Sequence, residues 1–203
     1  MNRYLMTHSL LGSWLYAMKE DPFADATTER DPYKEFLDVL NRVPTPTNEA
    51  MQNGIDFEET VMSFVRGVPN LGGRWDDAAE KIASIVRGGQ FQYKAKKRVA
   101  VAGIDFLLYG RLDVLKAGTI YDIKFSKSYD RGKYFGSTQH PLYMELIPEA
   151  EKFNYIVSNG TDVWTESYTR EETRSIFPVI ADFAEWINCN GLWKIYAEKW
   201  AAL

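Results

Sequence analysis

The sequence has 203 residues, of which 45% are hydrophobic and 14% are aromatic, so it predicts one folded domain with a sizeable core and excludes a disordered chain. The net charge of −4 at pH 7 excludes a protein that binds nucleic acid through its overall charge. Any such binding has to use local clusters of basic residues.

Cysteine and histidine are scarce in this chain. Cys189 is the only cysteine, which excludes a disulfide framework and a four-cysteine iron–sulfur site within one chain. His8 and His140 are too few for a histidine metal cage, and we expect His140 to face solvent. No apolar run is long enough to span a bilayer and the N-terminus lacks a secretory pattern, so we expect a cytoplasmic protein without a membrane partner.

The N-terminal part, residues 1–48, is predicted to be helical. Apolar residues at helical spacing predict a first helix over 9–18, after a cap at Thr7 or Ser9. Asp31 and Pro32 predict the start of a second helix, which ends before Pro44. Both helices are expected to pack against the core.

A longer helix is predicted from about Thr47 to Arg66, and it carries an acidic residue of interest. At 100° per residue, one apolar stripe contains Glu58 at its centre; its members are Met51, Ile55, Glu58, Met62 and Val65. A carboxylate that faces a core needs a partner, and the simplest partner is an arginine or a lysine. Glu58 is therefore either a buried salt-bridge residue or part of a functional site.

Three consecutive strands follow a helix over 75–87. The runs 91–102, 107–114 and 119–125 are rich in β-branched and aromatic residues, and a short turn at Lys116–Gly118 joins the last two as an antiparallel hairpin. If the register sets Asp113 beside Asp122, two carboxylates and the ammonium group of Lys124 converge on one patch of the sheet.

Two neighbouring carboxylates repel each other, and partial burial adds to the cost unless a cation neutralises them. Magnesium prefers oxygen ligands, commonly one or two protein carboxylates together with water and phosphate. The backbone carbonyl of Ile123 could complete the protein's share of such a site. Lys124 could then hold or activate the water that attacks phosphorus.

A further helix is predicted to begin near Ser137. Gln139 and Tyr143 lie four residues apart on one face of it, and Pro141 falls in its first turn. An amide and a phenol near a helix N-terminus suit contacts to phosphates or bases. After this helix, 153–157 and 165–168 are predicted to extend the sheet, and helices complete the C-terminal part, residues 169–203.

Two basic runs flank the acidic patch. One contains Lys94, Lys96, Lys97 and Arg98, and the other contains Lys124, Lys127, Arg131 and Lys133. A single run of this kind is usually a solvated surface. Two runs around one acidic patch favour a groove that follows a phosphate backbone, with Arg111, Lys127 and Lys133 as candidate phosphate contacts.

The order of these motifs resembles the PD-(D/E)XK nuclease superfamily, and specifically its RecB-type exonuclease branch. The matching residues are Asp113 with Gly110 three positions before it, Asp122-Ile123-Lys124, and Gln139 with Tyr143. Gly54 to Glu58 also matches the G-x-x-x-(H/E) signature of that branch, in which some relatives carry histidine at the last position. The four-cysteine iron–sulfur staple of several relatives is absent here.

The resemblance implies an α/β fold with a restriction-endonuclease-like core, in which a mixed central sheet is flanked by helices and residues 49–168 form the catalytic core. It implies that Glu58, Asp113 and Asp122 bind Mg²⁺ or Mn²⁺, that Lys124 assists the water, and that Gln139 and Tyr143 place DNA. The expected activity is exonucleolytic hydrolysis of DNA in recombination, repair or replication, as in phage members of the branch. A single-strand-annealing or other recombination protein and a homo-oligomer are possible partners; a non-catalytic DNA-binding module with the same fold is the alternative.

Overall fold

The computed structural model describes residues 3–19 and 31–202. The predicted domain also includes residues 1–2, 20–30 and 203, which lie outside these ranges. The helices are α1 (His8–Ala17), α2 (Pro32–Leu40), α3 (Glu49–Arg66), α4 (Asp76–Val86), α5 (Gln139–Leu146), α6 (Phe177–Cys189) and α7 (Trp193–Lys199). The strands are β1 (Arg3–Met6), β2 (Gln90–Val101), β3 (Ile104–Lys116), β4 (Thr119–Phe125), β5 (Lys152–Ser158), β6 (Val163–Thr169) and β7 (Ala201–Ala202).

All of these strands form one mixed sheet, and helices cover both of its faces. The strand order is β6-β5-β4-β3-β1-β7, and β2 also pairs with β3. The β1–β3 and β4–β5 pairs are parallel, whereas the other pairs are antiparallel. The α/β fold with a mixed central sheet flanked by helices is therefore confirmed. None of the described helices is both long and apolar enough to cross a membrane.

The sheet forks at β3. Strand β2 pairs along the whole of one edge of β3, from Ile104 to Leu115. Because a strand has only two edges, β1 and β4 must share the other one. Strand β1 pairs with residues 106–108 of β3 and β4 pairs with residues 114–116. Residues 109–113 of β3 thus have no strand partner on that edge among the described residues, and we call this opening the fork.

Local sequence explains the hairpin between β3 and β4 and the start of α1. Ala117 and Gly118 both have positive φ values, 47° and 72°, which is the backbone of a two-residue turn between antiparallel strands. The Thr7 hydroxyl caps α1 by accepting a hydrogen bond from the Leu10 N–H at 3.2 Å. Strand β1, just before this cap, was not predicted, because four residues with a distant partner leave no periodic signal.

Two hydrophobic clusters hold the layers together. Helices α1, α2, α5, α6 and α7 pack on one face of the sheet, with Leu10, Phe36, Leu142 and Ile180 fully or almost fully buried. Helices α3 and α4 pack on the other face, through the cluster that contains Phe57, Val61, Ala79 and Ile82. The fork lies where α3, α5 and the start of α1 meet the sheet.

The predicted core stripe of α3 was wrong. Met51 and Ile55 are 44% and 47% exposed, and Glu58 lies on the border of the buried side rather than at its centre. The helix is rotated because burying two aromatic rings removes more apolar surface from water than burying the predicted methionine and isoleucine. The residues that are buried are Phe57, Val61 and Phe64.

The expectation that His140 faces solvent was also wrong. Its ring is 4% exposed and stacks on Tyr168 with centroids 4.1 Å apart. The Nδ1 atom lies 3.1 Å from the Tyr155 hydroxyl, with which it forms a hydrogen bond. Burial lowers the pKa of His140 to about 4, so the folded protein holds this ring neutral at pH 7.

Gly110→Ala tests the packing of α5 over the fork. A Cβ at position 110 would lie 2.6 Å from Cε1 of Tyr143 and 2.8 Å from Cδ1 of Leu146, so we expect the free energy of unfolding to fall by about 1–3 kcal/mol. Urea denaturation measures the change. The control is Gly54→Ala, because a Cβ there would meet nothing within 4 Å and should raise stability by about 0.5–1 kcal/mol. Equal effects of the two substitutions would contradict the packing argument.

His140→Phe tests the buried neutral ring through the pH dependence of stability. Between pH 6.5 and about 4, the unfolded chain binds a proton at position 140 that the folded protein does not, so wild-type stability falls as pH falls. Phenylalanine keeps a ring for stacking on Tyr168 and cannot titrate. As the pH falls from 7 to 5, we expect the free energy of unfolding to fall less steeply in the variant than in the wild type. The two slopes should differ by up to about 1.4 kcal/mol per pH unit, and urea denaturation measures both. Parallel curves would refute the prediction.

Candidate active site

A pocket opens at the fork and gathers most of the residues singled out in the sequence. Its volume is about 360 Å³, enough for a phosphate group and several waters. We call it the fork pocket. It is lined by Thr7, His8, Ser9, Glu58, Tyr109, Gly110, Arg111, Asp113, Asp122, Ile123, Lys124, Gln139 and Tyr143. All three predicted acidic ligands and Lys124 therefore face one cavity.

Asp122 is the most deeply buried of the acids. It is 3% exposed, and its Oδ1 accepts a short hydrogen bond from Nε2 of Gln139. Lys124 Nζ lies 2.8 Å from Oδ2 as an ion pair, but no donor among the described residues is aligned on Oδ2 as a hydrogen bond. Burial is the largest single influence and lowers the pKa of Lys124, but the contact with Asp122 and the charges of Asp122 and Asp113 together outweigh burial and raise it. Lys124 is therefore an ammonium group at neutral pH.

Asp113 closes the gap between β3 and β4 with its side chain. Val114 pairs with Tyr121, so the next position in this register sets Asp113 opposite Asp122, just beyond the last backbone pair. The Asp113 Oδ2 instead accepts a hydrogen bond from the Ile123 N–H at 2.9 Å. Burial and then the charge of Asp122 raise the pKa of Asp113 well above its ordinary value.

Ile123 is placed as the sequence analysis requires for a carbonyl ligand. The N–H and C=O of one strand residue point to the same edge of the strand. Because the Ile123 N–H points to Asp113, its carbonyl also points towards the fork. Its contact with a metal ion stays a prediction.

Glu58 enters the pocket from α3 and is held by Gln92 of β2. Gln92 Nε2 donates a hydrogen bond to Glu58 Oε1 at 2.6 Å. Burial and the charge of Asp122 raise the pKa of Glu58, while the neighbouring Arg111 opposes the rise. The partner of Glu58 is thus an amide rather than the arginine or lysine that a buried carboxylate most simply predicts.

The backbone of Gln92 is unusual at this point. The β2–β3 register sets Gln92 opposite Asp113, but its φ of 52° takes it out of the ladder and into the left-handed region. This conformation is uncommon for a residue with a side chain and costs about 1 kcal/mol or more, so such residues cluster at functional sites. Sequence reasoning missed Gln92, because a glutamine in an alternating strand resembles any solvent-facing residue.

Gln139 and Tyr143 are positioned inside the protein rather than on its surface. They are 6% and 3% exposed. Gln139 holds Asp122, and the Tyr143 hydroxyl donates a hydrogen bond at 3.1 Å to the carbonyl of Arg111, a residue of the fork. The pair therefore orients an acid and stabilises the open edge of β3. Their contact with DNA stays a prediction.

The basic candidates separate into two places. Arg111 is exposed and lines the fork pocket, whereas Lys127 and Lys133 are exposed in the segment that follows β4 and do not line it. Lys133 Nζ donates hydrogen bonds to the Ser126 hydroxyl at 2.8 Å and to the Ser128 carbonyl at 3.2 Å, which holds it within its own loop. The structure does not bring Lys127 and Lys133 together with the acids.

His8 is a pocket residue that the sequence analysis did not select. Its ring lies edge-on to Tyr143 with centroids 5.3 Å apart. Burial, followed by the charge of Lys124, lowers the pKa of His8 to about 4. The sequence pattern did not indicate a role for His8, because β1, the strand that brings His8 to the site, was not predicted.

The donor set of the pocket fits a hard divalent cation. Glu58, Asp113 and Asp122 supply carboxylate oxygens, which are the ligands that Mg²⁺ and Mn²⁺ prefer. Within residues 3–19 and 31–202, however, no three His, Cys, Asp or Glu side chains form a ready-made metal cluster. Each acid instead accepts a hydrogen bond from a neighbouring group. Each of these hydrogen bonds uses one carboxylate oxygen, so the second oxygen of each acid could still bind an ion.

Comparison with known proteins identifies a similar fold. No protein-family model matches the chain, and no curated protein matches it either. The chain is similar to the crystal structure of SSO0001, with a TM-score of 0.54 and 16% sequence identity. The similarity covers 94% of this chain and 78% of that chain. At this level of identity, the two proteins share a fold.

Proposed function

We propose that the protein is a metal-dependent deoxyribonuclease of the PD-(D/E)XK type. The observation that carries the proposal is the convergence of Glu58, Asp113, Asp122 and Lys124 on one pocket at the fork. These residues come from α3, β3 and β4, so their meeting is a product of the fold. A set of buried carboxylates beside a lysine in a cleft is typical of a catalytic site.

In this proposal, Glu58, Asp113, Asp122 and the Ile123 carbonyl would hold Mg²⁺ or Mn²⁺. When bound, the ion would supply Lewis-acid stabilisation of the negative charge that develops on phosphate oxygens. Lys124 remains protonated because its pKa is raised, so it orients a water molecule or a phosphate oxygen by donating hydrogen bonds. Gln139 keeps the Asp122 carboxylate oriented, as a second layer of contacts commonly does in metal sites.

The resemblance to the RecB-type branch supports the choice of DNA ends as the substrate. An exonuclease of recombination, repair or replication follows from that resemblance, as do a single-strand-annealing or other recombination protein as partner and a homo-oligomer. A non-catalytic DNA-binding module is the second candidate. It is favoured by one observation, namely that within residues 3–19 and 31–202 no three His, Cys, Asp or Glu side chains form a ready-made metal cluster.

The activity is tested on end-labelled linear DNA and a covalently closed circle, each with Mg²⁺, Mn²⁺ or a chelator. We expect metal-dependent loss of the linear DNA alone, and a loss of cleavage of about 10³-fold or more in Asp122→Asn and Lys124→Ala, because each removes a charge from the reacting centre. The control is Lys152→Gln, which removes an exposed charge outside the fork pocket.

The outcomes separate the candidate functions. Cleavage of the circle would indicate an endonuclease with the same chemistry. Undiminished cleavage by Lys124→Ala would refute the assignment of the site. Metal-independent DNA binding without any cleavage would favour the binding module.

Gln92→Ala tests whether Gln92 orients Glu58. Loss of the amide removes the 2.6 Å hydrogen bond to Glu58, and loss of such supporting contacts commonly weakens metal binding or activity by about 10–100-fold. We expect a loss of this size in Mn²⁺ affinity, measured by calorimetry, and in cleavage. Gln52→Ala is the control, because Gln52 is an exposed glutamine on α3 whose side chain donates a hydrogen bond to Asp56, away from the fork pocket. Unchanged Mn²⁺ affinity in Gln92→Ala would contradict the assigned role.

A further inference from the structure

The basic run of β2 is divided between the two faces of the β2–β3 hairpin. Lys94, Lys96 and Arg98 occupy alternate positions and are exposed. Ala95 and Val101, at the odd-numbered positions, are buried in the main hydrophobic cluster. Side chains alternate between faces along a strand, so the three cations share the outer face.

Lys97 shows the contrast within the same run. It lies at an odd-numbered position, and its Nζ is 2.5 Å from Oε1 of Glu145 on α5. Lys97 therefore belongs to the face that α5 covers, as a partner of one carboxylate. Lys97 is therefore not one of the basic residues that are available to contact a ligand.

Strand pairing extends the outer row of cations to the fork pocket. Lys94 pairs with Arg111, Lys96 with Tyr109, and Arg98 with Leu107. Arg111 and Tyr109 both line the fork pocket. The exposed cations on this face form a continuous row, which we call the cationic stripe; it consists of Arg111, Lys94, Lys96 and Arg98.

The stripe cations form no close ion pair with the rest of the described protein. Among the described residues, no carboxylate oxygen lies within 4.0 Å of a stripe nitrogen. Lysines on an edge strand can serve simply to prevent pairing with another chain. That explanation does not account for Arg111, which lies on the interior strand β3, nor for the way the row ends at the pocket.

We propose that the cationic stripe binds the phosphates of a single nucleic-acid strand and leads that strand into the fork pocket. The proposal rests on the proposed nuclease function and specifies its substrate as a single-stranded segment. The three stripe cations of β2 are two residues apart along the strand, which gives a repeat of about 6.7 Å, and Arg111 lies directly across from Lys94. This repeat is comparable to the spacing of phosphates along an extended nucleic-acid strand. Proteins that bind single-stranded nucleic acid typically combine a basic groove with aromatic rings on which bases stack.

Tyr109 supplies the aromatic ring at the expected place. It lies on the outer face between Arg111 and Leu107 and is half-buried. A base that left the stripe for the pocket would pass this ring. The row is only two strands wide, about 5 Å, which suits one phosphate chain better than the two chains of a duplex.

The test measures DNA binding by fluorescence anisotropy in the Asp122→Asn background, where the strand is not cut. The probe is a labelled single-stranded oligonucleotide of mixed sequence, titrated at several salt concentrations. The test variant adds Lys94→Gln, Lys96→Gln and Arg98→Gln. We expect the dependence of log affinity on log salt to become shallower by about 2, since each phosphate contact on a single strand contributes about 0.7.

The control variant adds Lys81→Gln, Lys152→Gln and Lys194→Gln, which remove the same charge from exposed positions on α4, β5 and α7. Its salt dependence should stay that of the Asp122→Asn parent, and urea denaturation checks that both variants fold. Equal weakening in the two variants would overturn the proposal, as would failure of the parent to bind single strands. A larger effect on duplex than on single-stranded probes would also overturn it.

The experiment separates this proposal from the nuclease assignment. Stripe-dependent binding by a wild-type protein that cleaves no DNA would sustain the stripe and refute the nuclease. Metal-dependent cleavage by a protein whose stripe variant binds single strands normally would sustain the nuclease and refute the stripe.

Discussion

The fork in the sheet is the constraint on which the site depends. Strands β1 and β4 diverge along one edge of β3, so the backbone groups of residues 109–113 need other partners. On β3, the Tyr143 hydroxyl donates a hydrogen bond to the Arg111 carbonyl. On the facing strand β4, the Ile123 N–H donates a hydrogen bond to the Asp113 carboxylate. The groups that satisfy the open edge are thus the same groups that line the pocket. A regular sheet would have offered neither the opening nor the need for these contacts.

The buried carboxylates create a demand for positive charge that the protein meets only in part. Asp122 has Lys124 and Gln139, whereas Asp113 has one backbone donor and the repulsion of Asp122. Its raised pKa means that a proton is one way to neutralise it, and a divalent cation in the same pocket would be another. Proton and cation would compete for the same oxygens. Burial and mutual repulsion of the carboxylates therefore raise the free energy of the ligand-free site, and a bound cation would lower it.

The sequence predicted those strands and helices whose residues follow a regular periodicity. Alternation predicted β2, β3 and β4, and the short turn predicted the hairpin between β3 and β4. The register that sets Asp113 opposite Asp122 was only a condition of the sequence analysis, and the structure supplies it. Periodicity could not orient α3, because apolar residues on two of its sides competed and the aromatic rings decided the outcome. It could not find Gln92, whose role depends on a left-handed backbone, or His8, which depends on a strand paired with distant residues. These misses concern contacts between elements.

The net charge and the cationic stripe are compatible because they act over different distances. At 0.1 M salt the screening length is about 10 Å, so carboxylates elsewhere on the surface have little influence on a ligand at the hairpin. Lys94 and Arg111 pair directly across β2 and β3, and the next cations follow at intervals shorter than that length. They therefore act on a phosphate chain together. An overall charge of −4 weakens long-range attraction of DNA, but the stripe cations still act on a phosphate chain that lies against them.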